Sequence, residues 1–375
     1  MFIPVHCPHP GCSNYHHPQT ANWYRYFGIY RTKTFGSIPR FRCNSCRKTF
    51  SSQTFSINYY AKKTLKMRDL YAQVNGGVGI RKIARNLNVH HNTIRNRIAR
   101  MTRNAILIHQ QILSNLPFRE DFVADGFESF CFSQYFPDNY HLLVGESSQF
   151  VYRTDYITLR RKGRMREDQK KKRADLEKQW RAPKGNLERS FGELCEWLAG
   201  MTSKRRSLLT LYTDEKTEYR RALMKSPICG PEISDRRWFH HTTSSHKARN
   251  RANRLFAVNY MDREIRKDMA AHARQTVQFN RNVNDAMLRM SLYVFDHNYL
   301  KPYRIRNGEK NRLRHAEVAG ADRVELEMML VGFFTNRYFS ADKNSSEGPD
   351  KKSLERRWET PLGKNSKTVR KHLAT

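Results

Sequence analysis

The sequence predicts a multi-domain α/β protein, and three observations lead there. The chain has 375 residues, more than one ordinary domain holds. Four of its seven cysteines crowd into the first 46 residues. The apolar pattern then changes period: helical spacing over 61–101 gives way, after residue 120, to short strand-like runs separated by helical stretches. Hydrophobic residues at 38% and aromatics at 12% suffice for real cores and exclude a disordered basic tail.

Charge narrows the partners. Sixty-nine Lys and Arg against 35 Asp and Glu leave +34, a self-repulsion that calls for a polyanion and argues against a generic metabolic enzyme. Residues 1–115 carry 18 Lys and Arg and one acid, Asp69. Two further basic runs follow, RRKGRMREDQKKKR (160–173) and SSHKARNRANR (244–254). Either alone reads as a solvated face; together with the N-terminal excess they suggest a long phosphate-contacting surface. The apolar run Met328 to Phe334 is far too short for a membrane span, so no membrane partner is expected. The start, MFIPVHC, has neither the basic region nor the apolar stretch of an export signal. An intracellular, cytoplasmic protein is the expectation.

Cys7 and Cys12 stand in CPHPGC, Cys43 and Cys46 in CNSC, with an aromatic segment (23–36) between the pairs. Folding back through that segment closes a four-thiolate site suited to structural zinc. Disulfides would need an oxidising compartment. His6, His9, His16 and His17 are spare ligands that a complete thiolate set leaves without a role. Cys131, Cys195 and Cys229 are isolated and read as buried small hydrophobes. Residues 1–58 are thus expected to be a zinc ribbon.

Residues 61–77 read as a helix ended by paired glycines. In GIRKIARNLNVHHNTIRNRIARM (79–101), Ile80, Ile83, Ala84 and Leu87 give one apolar face, Val89 a turn, and Ile94, Ile98 and Met101 a second face. Arg81, Lys82, Arg85, Arg95, Arg97 and Arg100 are expected to point outward. That is the pattern of a helix-turn-helix over 59–115, with His91, Asn92, Thr93, Arg95 and Asn96 offered to double-stranded DNA.

The remainder opens with three predicted strands, at 120–130, 139–146 and 150–160. A helix (187–201), a strand (205–215), a short helix near 217–225, a strand (238–243) and a long helix from Phe256 through 277 follow. This order is that of a ribonuclease-H-like mixed sheet flanked by helices. Asp125 is read near the end of the first of these strands and Asp214 at the end of the fourth; brought together, two carboxylates can hold Mg²⁺, and Mg²⁺ serves in-line phosphodiester displacement. A strand-end turn residue is the plainer reading of each.

The whole constellation resembles the DDE-type transposases of bacterial insertion sequences that combine a zinc ribbon, a helix-turn-helix and a ribonuclease-H-like domain. The residues that carry the resemblance are CPHPGC with RFRCNSCRKTFS, GIRKIARNLNVHHNTIRNRI, DGFESF, LYTDE and the segment from NYMDREIRKD onward. The resemblance implies a catalytic domain over 116–305, with 160–186 as a basic insertion, and a C-terminal extension over 306–375, flexible after about 340. It implies catalytic and Mg²⁺-binding roles for Asp125, Asp214 and Asn259, the last an amide in place of the usual Glu, with Asp262 one turn on as a substitute. Arg263, Arg266 and Lys267 would face DNA phosphates, and Glu128 would stand near Asp125. It implies binding to terminal inverted repeats, Mg²⁺-dependent cleavage and strand transfer, homo-oligomers that synapse two ends, and a place on the bacterial nucleoid. The alternative is a catalytically inert, domesticated relative acting as a DNA-binding regulator.

Overall fold

The computed structural model describes residues 2–203, 208–244, 246–304, 312–340, 354 and 356–363. The N-terminal unit is a three-stranded antiparallel sheet, β1 (Tyr24–Thr32), β2 (Gly36–Cys43) and β3 (Thr49–Ser51), in that spatial order. Its small core joins Cys7, Cys12 and Cys43 to Tyr15, Trp23, Phe41 and Phe50. Trp23 and Phe50 stack with centroids 5.7 Å apart. A later segment leans on this unit: Ile57 N–H donates to the Thr335 carbonyl, and Arg337 N–H to that of Phe55.

Three helices follow: α1 (Met67–Asn75), α2 (Ile80–Asn86) and α3 (His91–Asn115). α1 starts six residues later than its sequence pattern suggests. The carbonyls of Lys62 and Lys63 accept from Thr34 Oγ1 (2.9 Å) and Arg97 Nη2 (2.6 Å), so side chains take what a first helical turn would use. α3 runs on for 25 residues because Ile94, Ile98, Met101, Ala105, Ile108 and Ile112 keep a helical stripe facing the interior.

The large sheet holds β4 (Phe122–Phe130), β5 (Pro137–Gly145), β6 (Val151–Thr158), β7 (Leu209–Thr213) and β8 (Trp238–Thr242), ordered β6-β5-β4-β7-β8. The β4–β5–β6 meander is antiparallel, while β7 lies parallel to β4 and β8 parallel to β7. Between β6 and β7 come α4 (Glu167–Gln179) and α5 (Asn186–Thr202); between β7 and β8, α6 (Thr217–Lys225) and α7 (Cys229–Ser234). Then follow α8 (Phe256–Asp268), α9 (Val283–Tyr299), α10 (His315–Val318) and α11 (Arg323–Val331).

Apolar side chains cover both faces of the sheet. One layer joins Phe122, Leu143, Leu211, Phe191 and Leu198 to the stripe of α3, to Phe295 and to Phe333. The other packs Val123, Phe127, Tyr140 and Leu142 against Val258, Met261 and Ile265 of α8 and Met287 and Met290 of α9. The first layer runs without a break across residues 115 and 116, so α3 shares its core with the sheet. Cys131, Cys195 and Cys229 are buried in these layers.

Three segments differ from their sequence pattern. α8 ends at Asp268, not near 277, because burial redirects the chain: Met269, Ala271 and His272 turn inward, and His272 packs on Phe127 and bonds Ser129 Oγ at 3.0 Å. The basic insertion contains a helix, α4, polar all round and tied by surface ion pairs such as Arg160–Glu177 at 2.7 Å. Most of the tail after 340 lies outside the described residues, but 356–363 pack on the body. Arg356 pairs with Asp155 at 2.7 Å, and Asn284 exchanges two hydrogen bonds with the Trp358 backbone, at 2.9 and 3.0 Å. No helix among the described residues is long and apolar enough to cross a membrane.

Candidate functional sites

The four cysteines converge. Their sulfurs lie within 4.8 Å of one another, with Cys7–Cys46 at 3.7 Å and Cys12–Cys43 at 3.6 Å. A disulfide is about 2.05 Å long, whereas the edge of a tetrahedron built on ~2.3 Å zinc–sulfur bonds is about 3.8 Å. The spacing fits a tetrahedral metal ion and excludes cross-links. Burial raises the Cys43 thiol, but the Cys46 and Ser45 amides and Asn14 Nδ2 outweigh it and bring the group down to about 7. Four thiols gathered in this way, three of them buried and Cys46 half-buried, could hold a structural metal ion.

The start of α3 is capped by His90, whose Nδ1 accepts from Asn92 N–H at 3.2 Å. Asn92 and Arg95 are exposed, and His91, Thr93 and Asn96 half-buried. Beside them an open depression is lined by Lys63, Arg81, Arg85, Asn88, His90 and His91, a strongly basic concavity suited to an anion. Arg95 reaches back to Asp285 at 2.7 Å.

Two arginines expected outside are inside. Arg100 donates to the carbonyls of Ile57 (2.8 Å) and Tyr59 (2.5 Å) and lies 4.1 Å from the Tyr59 ring centre. Arg97 donates to the Lys63 carbonyl. A guanidinium satisfies several buried carbonyls of irregular chain at once, which is why these two join α3 to the segment before α1. Asn96 is partly committed too, since its Oδ1 accepts from Arg100 Nε at 2.8 Å.

The acids meet through strand register. β4 and β7 pair as Phe122 with Leu211 and Val123 with Tyr212. Two residues further along both chains stand Asp125 and Asp214. Lys216 lies between them, its Nζ 3.2 Å from Asp125 Oδ1 and 3.1 Å from Asp214 Oδ2. Lys216 N–H also donates to Asp214 Oδ1 at 3.1 Å, folding the turn after β7 so that the side chain returns to the acids. Tyr219 on α6 points its hydroxyl at Asp125, 3.4 Å away. Burial pushes the Asp125 carboxyl up, with Asp214 adding to the effect and Lys216 opposing it. Burial works against the Lys216 charge, yet Asp125, Tyr219 and Asp214 together hold it protonated above its usual range.

On α8 it is Asp262 that senses this pair. Burial, then the Asp125 charge, push its carboxyl up to about 7, and its Oδ1 is buried with no hydrogen-bond partner. Asn259, one turn earlier, is half-buried and makes no side-chain hydrogen bond to either acid. Among the described residues no third acid lies as close to Asp125 and Asp214 as the cysteines lie to one another. Asp262 thus feels the charge of Asp125 without joining the two acids in a close cluster.

The basic residues of α8 differ in their freedom. Arg263 is exposed, with its guanidinium over Tyr260. Arg266 is tied to the carbonyls of Glu128 (2.9 Å) and His272 (3.3 Å), and Lys267 to Glu264 at 2.8 Å. Glu128 itself is exposed. Sequence reading missed Lys216 and Tyr219. The one available signal was a lysine two residues past a strand-end acid, at the mouth of a helix.

No protein-family model matches the chain, and no curated protein matches it.

Proposed function

We propose that the chain is a DDE-type transposase that binds the ends of its mobile element and cuts and joins DNA there. The observation that carries this reading is the meeting of Asp125 and Asp214, with 88 residues between them in sequence, on neighbouring parallel strands around a single ammonium. The strand order supports a ribonuclease-H-like domain, and the sulfur cluster supports a zinc ribbon. The basic hollow at the start of α3 supports a helix-turn-helix that grips duplex DNA.

In this reading Asp125, Asp214 and a third residue of α8 hold Mg²⁺. The buried, unpartnered Asp262 oxygen favours Asp262 over Asn259 for that third place. When bound, the metal polarises the scissile phosphate and stabilises the leaving 3′ oxygen. The protein's own part is to fix the two acids by strand register, exclude water beneath them with Tyr219, and offer Arg263 to the DNA backbone. Two copies would hold two element ends.

A second reading draws on one specific observation. Lys216 already balances the acid pair, as in a fold kept for DNA binding after its chemistry is lost.

Excision from a plasmid that carries the gene with its flanking DNA tests both. Mg²⁺-dependent products are expected from the wild type and none from Asp214→Asn, with binding to the flanks retained. Asp262→Asn should lose the products and Asn259→Ala should keep most of them. Full cleavage by Asp214→Asn would overturn the catalytic assignment. No product from any variant, with specific binding intact, would favour the inert reading.

A further inference from the structure

The N-terminal sheet carries a surface that neither reading uses. β1 is an edge strand. Its pairing with β2 slips between Tyr26, opposite Phe41, and Ile29, opposite Pro39, so Phe27 and Gly28 together face Arg40. Gly28 takes φ +95 there, a conformation that side-chain-bearing residues avoid, and the result is a β-bulge that re-aims its neighbours. Three large apolar side chains stand in water at this point: Tyr26 is 58% exposed, Phe27 41% and Ile29 60%.

Charge surrounds Phe27, whereas Tyr26 lies on the opposite face, its ring 6.2 Å from that of Phe41. Arg40 and Arg42 approach the Phe27 ring, with guanidinium carbons 5.5 and 5.6 Å from its centre. Arg25 is paired with Arg42 across the strands. Residues 1–58 contain seven Lys and Arg and not one Asp or Glu. A surface with no acid but with an exposed ring among guanidinium groups complements a polyanion that also presents flat π-faces. A phosphodiester backbone alone leaves the ring without a partner, whereas an unpaired base supplies one.

We propose that the bulged edge of this sheet is a second nucleic-acid site that takes unpaired DNA, stacking a base on Phe27 while Arg25, Arg40 and Arg42, on the same face, hold the phosphates. It is separate from the hollow at α3 and does not depend on the chemistry of Asp125 and Asp214. It gives the protein a grip on strands that have been opened or cut.

The test is fluorescence anisotropy of the full-length chain with a labelled single-stranded oligonucleotide and with the same strand annealed to its complement. Phe27→Ala should weaken single-strand binding by on the order of tenfold, and duplex binding by less than about twofold, while Tyr26→Ala, on the other face, should leave both nearly unchanged. The difference should persist as salt rises, because stacking is not a counterion effect. Arg40→Gln/Arg42→Gln should weaken both probes and flatten their salt dependence. The mutated rings are exposed, and unchanged zinc content verifies that the sheet still folds. Equal loss on both probes, no loss on either, or a change of oligomeric state with single-strand binding intact would overturn the proposal. Excision plays no part in this measurement, so failure of the transposase reading and failure of this site are distinguishable.

Discussion

The sulfur cluster and the acid pair gather their side chains by opposite means. Cys7, Cys12 and Cys43 belong to an apolar core with Trp23, Phe41 and Phe50, so apolar packing helps to bring the thiols together. Carboxylates cannot be collected that way, because burial and mutual repulsion both oppose their charge. Asp125 and Asp214 meet because backbone register forces them together, and Lys216 supplies the balancing charge from inside the chain. Asp262, lacking such a partner, holds its proton up to about pH 7. Packing therefore favours the gathering of thiols, whereas an acid pair needs a cation to offset its repulsion.

The largest expected effect breaks the first half of that contrast. Cys43→Ser should cut bound zinc from one per chain to none and melt the N-terminal sheet, since structural zinc contributes on the order of 10 kcal/mol to such modules. Zinc content and near-ultraviolet circular dichroism report it. Unchanged metal content would remove the metal from the account.

Next comes Lys216→Met, which strips the acid pair of its internal cation. Breaking a buried ion pair costs several kcal/mol, and because Lys216 is about 30% exposed the loss should be smaller, about 2 kcal/mol. Urea unfolding without and with Mg²⁺ measures it. Mg²⁺ should stabilise both proteins and the variant more, since in the wild type Lys216 competes for the same acids; a variant indifferent to Mg²⁺ would show that the acids are no cation site.

The smallest effect sharpens the comparison with a third way of burying an acid. Asp138 is buried, accepts from the Tyr156 hydroxyl, and is pushed by burial up to about 8. Its folded-state value exceeds the unfolded one, so the folded form binds the extra proton, and stability from this group falls as pH rises from about 4 to 8. The slope approaches about 1.4 kcal/mol per pH unit for one proton. Asp138→Asn should remove that slope, its gain over the wild type growing by about 1 kcal/mol from pH 6 to pH 7. Parallel curves from chemical denaturation at the two pH values would refute a protonated Asp138.

Much of this was legible in the residues. The five strands of the large sheet fall within a few residues of their alternating runs, and the paired cysteines announced their cluster by spacing alone. What escaped depended on contacts between distant segments. Arg97 and Arg100 read as outward-facing because helical period places them beside polar neighbours; only the irregular chain at Ile57–Lys63 gives them carbonyls to satisfy. The premature end of α8 is set by a pocket on β4 for His272, which no local propensity encodes. Lys216 was overlooked because its role exists only once β4 and β7 are adjacent.

α3 has a mechanical consequence. Its 25 residues span about 37 Å. Its first turn stands at the basic hollow, and its later turns are locked in the same apolar layer as the strands carrying Asp125 and Asp214. In the proposed reading such a rod, with no linker between hollow and sheet, would work as a ruler: a duplex held at His91 would be presented to the acids at one distance and one bearing. Moving the contact point along the DNA by a single base pair would shift it by about 3.4 Å and turn it about the helix axis. Spacing between a recognised sequence and the acids would in this way be written into the length of one helix.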